Sequence, residues 1–161
     1  MTQGTRSRVL ALDVGAARIG LAVGDEGGSL AFGRGAITRR GGKADADAVV
    51  QAAAAERATL VLIGLPLRLD GSSSDQTDRV RAFGAVLEER LKDSGVAVAY
   101  EDERLTTKLA GQRIADGALP RGKRQSKGLV DEASAVLILE SYLQRVLAQA
   151  GSDLTESLDA V

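Results

Sequence analysis

The sequence predicts an α/β domain with a mixed five-stranded sheet flanked by helices. Residues 9–12 and 19–23 are short apolar runs separated by a glycine-containing turn, a pattern typical of a β-hairpin. Later in the chain, two more apolar strands alternate with segments that favour helices. We therefore expect antiparallel neighbours where tight turns connect the strands, and parallel neighbours where helices intervene.

The elements after the hairpin follow from local composition. Residues 29–38 mix small and apolar side chains, which predicts a third strand that Gly33 and Gly35 weaken and make prone to a bulge. Residues 44–57 are rich in alanine and favour a helix. Residues 59–65 form a continuous apolar run, as in a strand that helices cover on both faces.

The second half of the chain continues this alternation. Ser74 or Asp75 is suited to cap a helix whose apolar side chains recur at helical spacing. Residues 96–100 predict the last strand, and residues 107–116 predict a helix after it. The final helix is predicted over residues 130–149, because its apolar side chains again fall on one face.

The chain divides into one domain and two polar ends. We expect residues 1–7 to be a disordered start, residues 8–149 to be the folded domain and residues 150–161 to be an acidic flexible tail. At 161 residues, the chain is long enough for a single substantial core.

Composition excludes several kinds of chemistry. There is no cysteine and no histidine, which excludes disulfides, thiolate catalysis, zinc–thiolate sites and the commonest general base. With two Phe, two Tyr and no Trp, no stacking platform for bases is visible. No apolar run approaches membrane-spanning length and no signal-peptide pattern opens the chain, so we expect a cytoplasmic protein without a membrane partner.

Three acids stand out by their positions. Asp13 ends the first strand, Glu103 follows the last strand, and Asp131 lies in the first turn of the last helix. If the first and last strands run parallel, their carboxyl ends open on one crevice, where α/β sheets bind ligands. Converging carboxylates repel one another and need divalent cations, and an oxygen-only ligand set suits Mg²⁺ or Mn²⁺. Two such ions can activate a water and stabilise the leaving oxygen of a phosphodiester.

Each of these acids also has an ordinary structural interpretation. Asp13 suits a turn in which its side chain bonds its own backbone. Glu103 and its neighbour Asp102 are placed to pair with Arg104 or to stay solvated. Asp131 suits the positive end of its helix. The local sequence leaves these alternatives open.

Positive charge is concentrated in one segment, although the formal net charge of the chain is −1. Between residues 104 and 127 the only acid is Asp116. Such a patch suits a phosphate backbone, and a solvated surface loop is the alternative. The basic side chains of this segment are Arg104, Lys108, Arg113, Arg121, Lys123, Arg124 and Lys127.

Four motifs occur in order along the chain. The first is Asp-Val-Gly followed by Arg-Ile-Gly-Leu-Ala, within residues 13–22. The others are Gly-Leu-Pro-Leu with Asp-Gly-Ser at 64–72, Asp-Glu-Arg-Leu-Thr-Thr at 102–107, and Lys127 with Val-Asp-Glu-Ala-Ser-Ala at 130–135. Taken together, from about Val9 to Leu147, they resemble the YqgF/RuvX family.

The resemblance implies an RNase H-like fold, close to that of the Holliday junction resolvase RuvC. It implies a nuclease that processes the 5′ end of pre-16S rRNA in ribosome biogenesis, or else a Holliday junction resolvase that acts on branched DNA. Carried over, the family's catalytic and metal-ligating triad falls on Asp13, Glu103 and Asp131, with Mg²⁺ or Mn²⁺ as cofactor. RNase H-like nucleases often draw an acid from the end of the middle strand, where this chain has Gly64, so that role passes to Glu103. The side chains expected to bind nucleic acid are Arg18, Arg104, Arg113, Arg121, Lys123, Arg124 and Lys127.

Two functions of other classes also fit part of the pattern. Actin-like and sugar-kinase ATPases share the fold and begin with a similar Asp-x-Gly turn, but they need a second glycine-rich phosphate motif and a longer chain. A non-catalytic ribosome assembly factor would keep the fold, although the intact acids argue against it. The sequence does not decide between RNA and DNA, the cleavage position, endo- and exonucleolytic modes, the metal, or whether the chain forms a homodimer.

Overall fold

The computed structural model describes residues 8–25, 28–106 and 127–159, with the backbone alone for residues 127–129 and 153–159. Strands and helices of this part of the chain alternate much as the sequence predicts. In chain order they are β1 (Val9–Val14), β2 (Arg18–Gly24), β3 (Ala31–Thr38), α1 (Gly42–Ala55), β4 (Leu60–Leu65), α2 (Asp75–Leu91), β5 (Ala97–Asp102) and α3 (Lys127–Asp159).

The strands form one sheet in the order β3-β2-β1-β4-β5. β2 is antiparallel to both β1 and β3, whereas β4 lies parallel between β1 and β5. The predicted mixed sheet is therefore confirmed, with antiparallel pairs at tight turns and parallel pairs at helical connections. Because β1, β4 and β5 run in the same direction, their carboxyl ends lie together, at what we call the carboxyl edge.

Different helices cover the two faces of the sheet. Along β1, Leu12 and Val14 join the apolar core under α1 and α2, whereas Val9 and Ala11 join the core under α3. Successive side chains of a strand point to opposite faces, so Asp13 faces α3. The polar end of β1 is thus turned toward the last helix.

A capping box fixes the start of α2, as the sequence predicts. The Ser74 side chain accepts a hydrogen bond from the Thr77 N–H at 3.2 Å, and the Thr77 hydroxyl accepts one from the Ser74 N–H at 2.9 Å. The Thr77 hydroxyl also donates to the carbonyl oxygen of Pro66. The start of α2 is therefore tied to the loop that follows β4 at the carboxyl edge.

The last helix is longer than the sequence analysis expects. α3 runs from Lys127 to Asp159 rather than from residue 130 to 149, so most of the segment predicted as a flexible tail is helical. That segment contains no proline, and its polar residues are compatible with a helix. No helix within the described ranges is long and apolar enough to cross a membrane. The predicted disordered start and the predicted helix at residues 107–116 lie outside the described residues.

The predicted weakness of β3 appears in its pairing. The register with β2 shifts between Gly20 and Ala22, and Gly35 adopts a φ of 76°, a conformation that side chains disfavour. α3 crosses the sheet at this place, where a Cβ atom on Gly20 would overlap the carbonyl oxygen of Asp131. Gly20 therefore allows the helix backbone to approach β2 closely.

Replacing Gly20 with alanine should destabilise the protein by displacing the start of α3. Overpacking a close contact costs about 1–3 kcal/mol, and we expect the free energy of unfolding to fall by about that amount in urea titrations. Gly24→Ala is the matched control on the same strand, because a Cβ atom there would lie 3.8 Å from the nearest carbonyl oxygen, that of Leu30. Equal losses for the two variants would contradict this packing.

Candidate active site

The three predicted acids lie near the carboxyl edge, on the face that α3 covers. Asp13 is the fifth residue of β1, and Glu103 begins a helical turn directly after β5. Asp131 lies in the second turn of α3 rather than the first, because the helix begins earlier than predicted. All three are partly buried.

Asp13 is surrounded by features that oppose its ionisation. Burial raises its pKa to about 6, and the negative charge of Asp131 adds to this increase. A hydrogen bond with the Ser134 hydroxyl, which also lies 3.1 Å from the Val130 carbonyl oxygen, acts in the opposite direction. Asp13 is therefore a carboxyl group that a nearby cation would help to ionise.

Glu103 shares this environment. Burial raises its pKa to about 7, and the charges of Asp13 and Asp102 contribute further. A Cβ atom on Gly64 would lie 2.7 Å from the Glu103 Oε1 atom, which shows that the side chain reaches across the end of β4. The glycine at the end of the middle strand thus leaves the space that Glu103 occupies.

Asp131 is engaged by an arginine. The Nε atom of Arg18, at the start of β2, donates to the Asp131 Oδ2 atom at 2.6 Å. Both side chains are partly buried, and charge-assisted hydrogen bonds of this length are among the stronger ones. Arg18 therefore balances one of the three negative charges and fixes the orientation of Asp131.

The donor set fits a hard divalent cation in its chemistry. Asp13 interacts electrostatically with both Asp131 and Glu103, and the three side chains offer only oxygen ligands, as Mg²⁺ and Mn²⁺ prefer. A cation would offset the repulsion that raises the pKa of Asp13 and Glu103. Over the described ranges, no three acidic side chains are close enough to hold a metal ion as they stand.

Arg104 holds the loop after β4. Its Nε and Nη2 atoms donate to the Asp102 carboxylate at 3.0 and 2.6 Å, and these hydrogen bonds lower the pKa of Asp102. Its Nη1 atom donates to the Leu69 carbonyl oxygen at 3.2 Å. The ordinary interpretation of Asp102 as a partner of Arg104 is thus confirmed. Binding of nucleic acid by Arg104 stays a prediction.

The side chains of the residues predicted to bind nucleic acid, other than Arg18 and Arg104, are not described. Lys127 is the first residue of α3, and its side chain is not described. The remaining members of the basic segment, Lys108, Arg113, Arg121, Lys123 and Arg124, lie outside the described residues.

Sequence reasoning missed two acids beside this site. Glu132 accepts a hydrogen bond from the Gly35 N–H at 2.8 Å and fills the space above Gly33, which anchors α3 to β3. Glu101 is 1% exposed and accepts a hydrogen bond from the Arg145 guanidinium of α3. The glycines of β3 indicate a place where another element packs closely, and this signal could have pointed to Glu132. Nothing in the local sequence distinguishes Glu101 from the acids that follow it.

Sequence comparison identifies similar proteins across most of the chain. Residues 7–145 match the RuvX family, which is described as a Holliday junction resolvase. A Thermus thermophilus protein named as a candidate pre-16S rRNA nuclease is 46% identical over 138 residues, which cover 86% of this chain and 98% of that protein. "Ribonuclease YqgF" of Deinococcus radiodurans is 47% identical over 140 residues, with 85% and 88% of the two chains covered.

Structure comparison confirms the expected RNase H-like fold. RuvC of Thermus thermophilus, in complex with a Holliday junction substrate, matches with a TM-score of 0.57 at 15% identity, covering 86% of this chain and 96% of that one. The yeast mitochondrial Holliday junction resolvase Ydc2 matches with a TM-score of 0.52 at 13% identity, covering 86% and 78%. At these identities the likeness is one of fold.

Replacing Arg104 with lysine should loosen the loop after β4. Lysine keeps the charge but lacks the planar fork that bonds Asp102 and the Leu69 carbonyl together. The Gly71 N–H, which donates to the Arg68 carbonyl oxygen at 2.8 Å, should then exchange with solvent at least about tenfold faster.

Arg81→Lys, on the exposed face of α2, is the matched control and should leave exchange at Gly71 unchanged. Unchanged exchange in Arg104→Lys would show that the loop keeps its conformation without this clamp.

Proposed function

The chain belongs to the RuvX family, and from this premise we propose that it is a metal-dependent nuclease that cleaves structured nucleic acid, principally at the 5′ end of pre-16S rRNA. The observation that carries the proposal is the position of Asp13 between Asp131 and Glu103 at the carboxyl edge. The names of the relatives at 46% and 47% identity support the choice of RNA. Such a substrate also implies action in the cytoplasm.

In this mechanism Asp13, Glu103 and Asp131 would hold Mg²⁺ or Mn²⁺. When bound, the metal supplies an activated water and stabilises the charge that develops on the phosphodiester. Arg18 orients Asp131 through the bond to its Oδ2 atom, and Gly64 leaves room for Glu103. Carboxylates are the expected metal ligands because the chain contains no histidine and no cysteine.

Resolution of branched DNA is the second candidate, and the description of the family as a Holliday junction resolvase favours it. A direct test offers a 5′-extended 16S precursor RNA and a four-way DNA junction to the protein side by side, with Mg²⁺ or Mn²⁺. Cleavage near the 5′ end of the RNA, with an intact junction, supports the first candidate, and the reverse result supports the second. If neither substrate is cleaved, both candidate functions are contradicted, and a non-catalytic assembly factor is favoured.

Asp13→Asn should abolish most of the cleavage activity. The substitution keeps the size of the side chain but removes a negative charge from the proposed metal site. We expect the cleavage rate to fall by at least about two orders of magnitude, the scale of losing a principal catalytic group. Folding should be retained, because removing one of several mutually repelling acids relieves strain in the metal-free site.

Asp93→Asn is the control for this variant. Asp93 is exposed just after α2, at the end of the sheet opposite the carboxyl edge, and its replacement should leave cleavage unchanged. Cleavage by Asp13→Asn at the parental rate, or parental cleavage that persists in excess chelator, would refute the metal-dependent mechanism.

The basic segment should bind nucleic acid through phosphates. Replacing all three of Arg121, Lys123 and Arg124 by glutamine should weaken binding of all sequences about equally. The slope of log K against log salt concentration should become less negative by about two to three, because three phosphate contacts are lost. Fluorescence anisotropy at several salt concentrations measures both quantities.

A control double variant, Arg57→Gln with Lys92→Gln, removes positive charge from two exposed side chains at the end of the sheet opposite the carboxyl edge. It should bind with the parental affinity and salt slope. If the triple variant binds as tightly as the parent, or if the parental affinity does not depend on salt, the basic segment does not contact phosphates.

A further inference from the structure

A cavity of about 300 Å³ opens beside Asp13 on the other face of the sheet. Val14 at the end of β1 and residues 15–16 of the following turn form one wall, and Gln76, Arg79 and Val80 of α2 form another. Arg39, just after β3, completes the lining. None of the acids of the candidate active site lines this cavity.

The alternation of side chains along β1 links the cavity to the acids. Asp13 faces α3, and the next residue, Val14, faces α1 and α2 and lines the cavity. Consecutive Cα atoms are about 3.8 Å apart, so the cavity begins one residue away from the proposed catalytic acid. A nucleic-acid strand that crosses the carboxyl edge at Asp13 would therefore reach the cavity on the opposite face of the sheet.

Arg39 is a fixed part of the cavity wall. Its Nε atom donates to Asp45 at 3.0 Å, its Nη1 atom donates to the Gly15 carbonyl oxygen at 2.9 Å, and its guanidinium lies 5.6 Å from the centre of the Phe83 ring. Asp45 is 2% exposed and also accepts the Arg40 N–H, so the support of Arg39 is itself well anchored. The guanidinium is thus held in place before any ligand binds.

The lining combines an apolar floor with a positive rim. Val14, Ala16 and Val80 are apolar, whereas Arg79 is an exposed cation in the first turns of α2. Two acids in the first turn of the same helix, Asp75 and Asp78, offset part of the positive charge near Arg79. Gln76 adds an amide that can both donate and accept hydrogen bonds.

We propose that this cavity binds one unpaired nucleotide of the substrate strand, with the base over the apolar floor and the phosphate at Arg79 and Arg39. The volume is at the lower end of small-ligand sites, which matches one nucleotide and excludes a base pair. Sequence-specific recognition of RNA commonly targets unpaired bases that can be splayed out of the helix. The proposal rests on the proposed nuclease function. It adds that the enzyme selects substrates with an unpaired nucleotide next to the scissile phosphate.

The first test measures binding without cleavage. The full chain is titrated with adenosine 5′-monophosphate in the absence of metal, and backbone amide NMR shifts are followed at Ala16 and Gln76. We expect saturable shifts at these amides and at least a tenfold weaker affinity for Arg79→Ala. Arg81→Ala removes the same charge from the same helix outside the cavity, and it should bind as the parent does.

Three outcomes of this titration would overturn the proposal. The first is that inorganic phosphate produces the same shifts with the same affinity, which would show that no base is recognised. The second is that the shifts map away from the cavity. The third is that Arg81→Ala weakens binding as much as Arg79→Ala, which would indicate a general charge effect.

A second test uses cleavage of two matched substrates, one with an unpaired nucleotide beside the cleaved bond and one fully paired there. The parent should prefer the unpaired substrate. Arg79→Ala should raise KM for it about tenfold, with kcat nearly unchanged, and should lose the preference. If the parent cleaves neither substrate while the titration succeeds, the nuclease function fails and the nucleotide site stands. If the parent cleaves both equally and Arg79→Ala matches it, the nucleotide site fails and the nuclease function stands.

Discussion

The close approach of α3 to β2 determines whether an acidic site exists at the carboxyl edge. Asp13 belongs to the first strand and Asp131 to the last helix, and they interact because Gly20 has no side chain to hold the helix backbone away. Glu132 strengthens the same contact by bonding the backbone of β3. The geometry of the acids is therefore set by backbone packing between the hairpin and α3, and not by the acids themselves.

This packing opposes the electrostatics of the site. Burial and mutual repulsion raise the pKa of Asp13 to about 6 and that of Glu103 to about 7, so the folded state disfavours the charges that metal binding would require. The bond from Arg18 to Asp131 and the hydroxyl of Ser134 offset part of this cost. An apolar residue in place of Asp13 would suit the surrounding core better. Acids in such an environment reduce stability, which agrees with the proposed role of Asp13 and Glu103 in a metal site.

The sequence predicts the sheet well because its strands are apolar runs bounded by glycine or polar turns. It singles out Asp13 as a candidate site residue because one acid interrupts such a run. It does not predict the clamp from Arg104 to the Leu69 carbonyl oxygen, since a bond from a side chain to a distant backbone leaves no periodic signal. The cavity beside Val14 is also absent from the sequence pattern, because its walls come from β1, α2 and the end of β3. The sequence does not predict the end of α3, because the acidic residues of 150–161 suggest a flexible tail although they are compatible with a helix.

The register of the β1–β2 hairpin separates the proposed chemistry from the proposed recognition. Asp13 pairs with Gly20 and Val14 pairs with Ile19, and the Gly15 N–H bonds the Arg18 carbonyl oxygen at 2.9 Å to close the turn. A slip of one residue would turn Asp13 into the apolar core under α1 and α2, and would aim Val14 at the remaining acids. A tight hairpin turn of fixed length sets this register. The short turn that lines the cavity therefore also keeps Asp13 on the face where Glu103 and Asp131 lie.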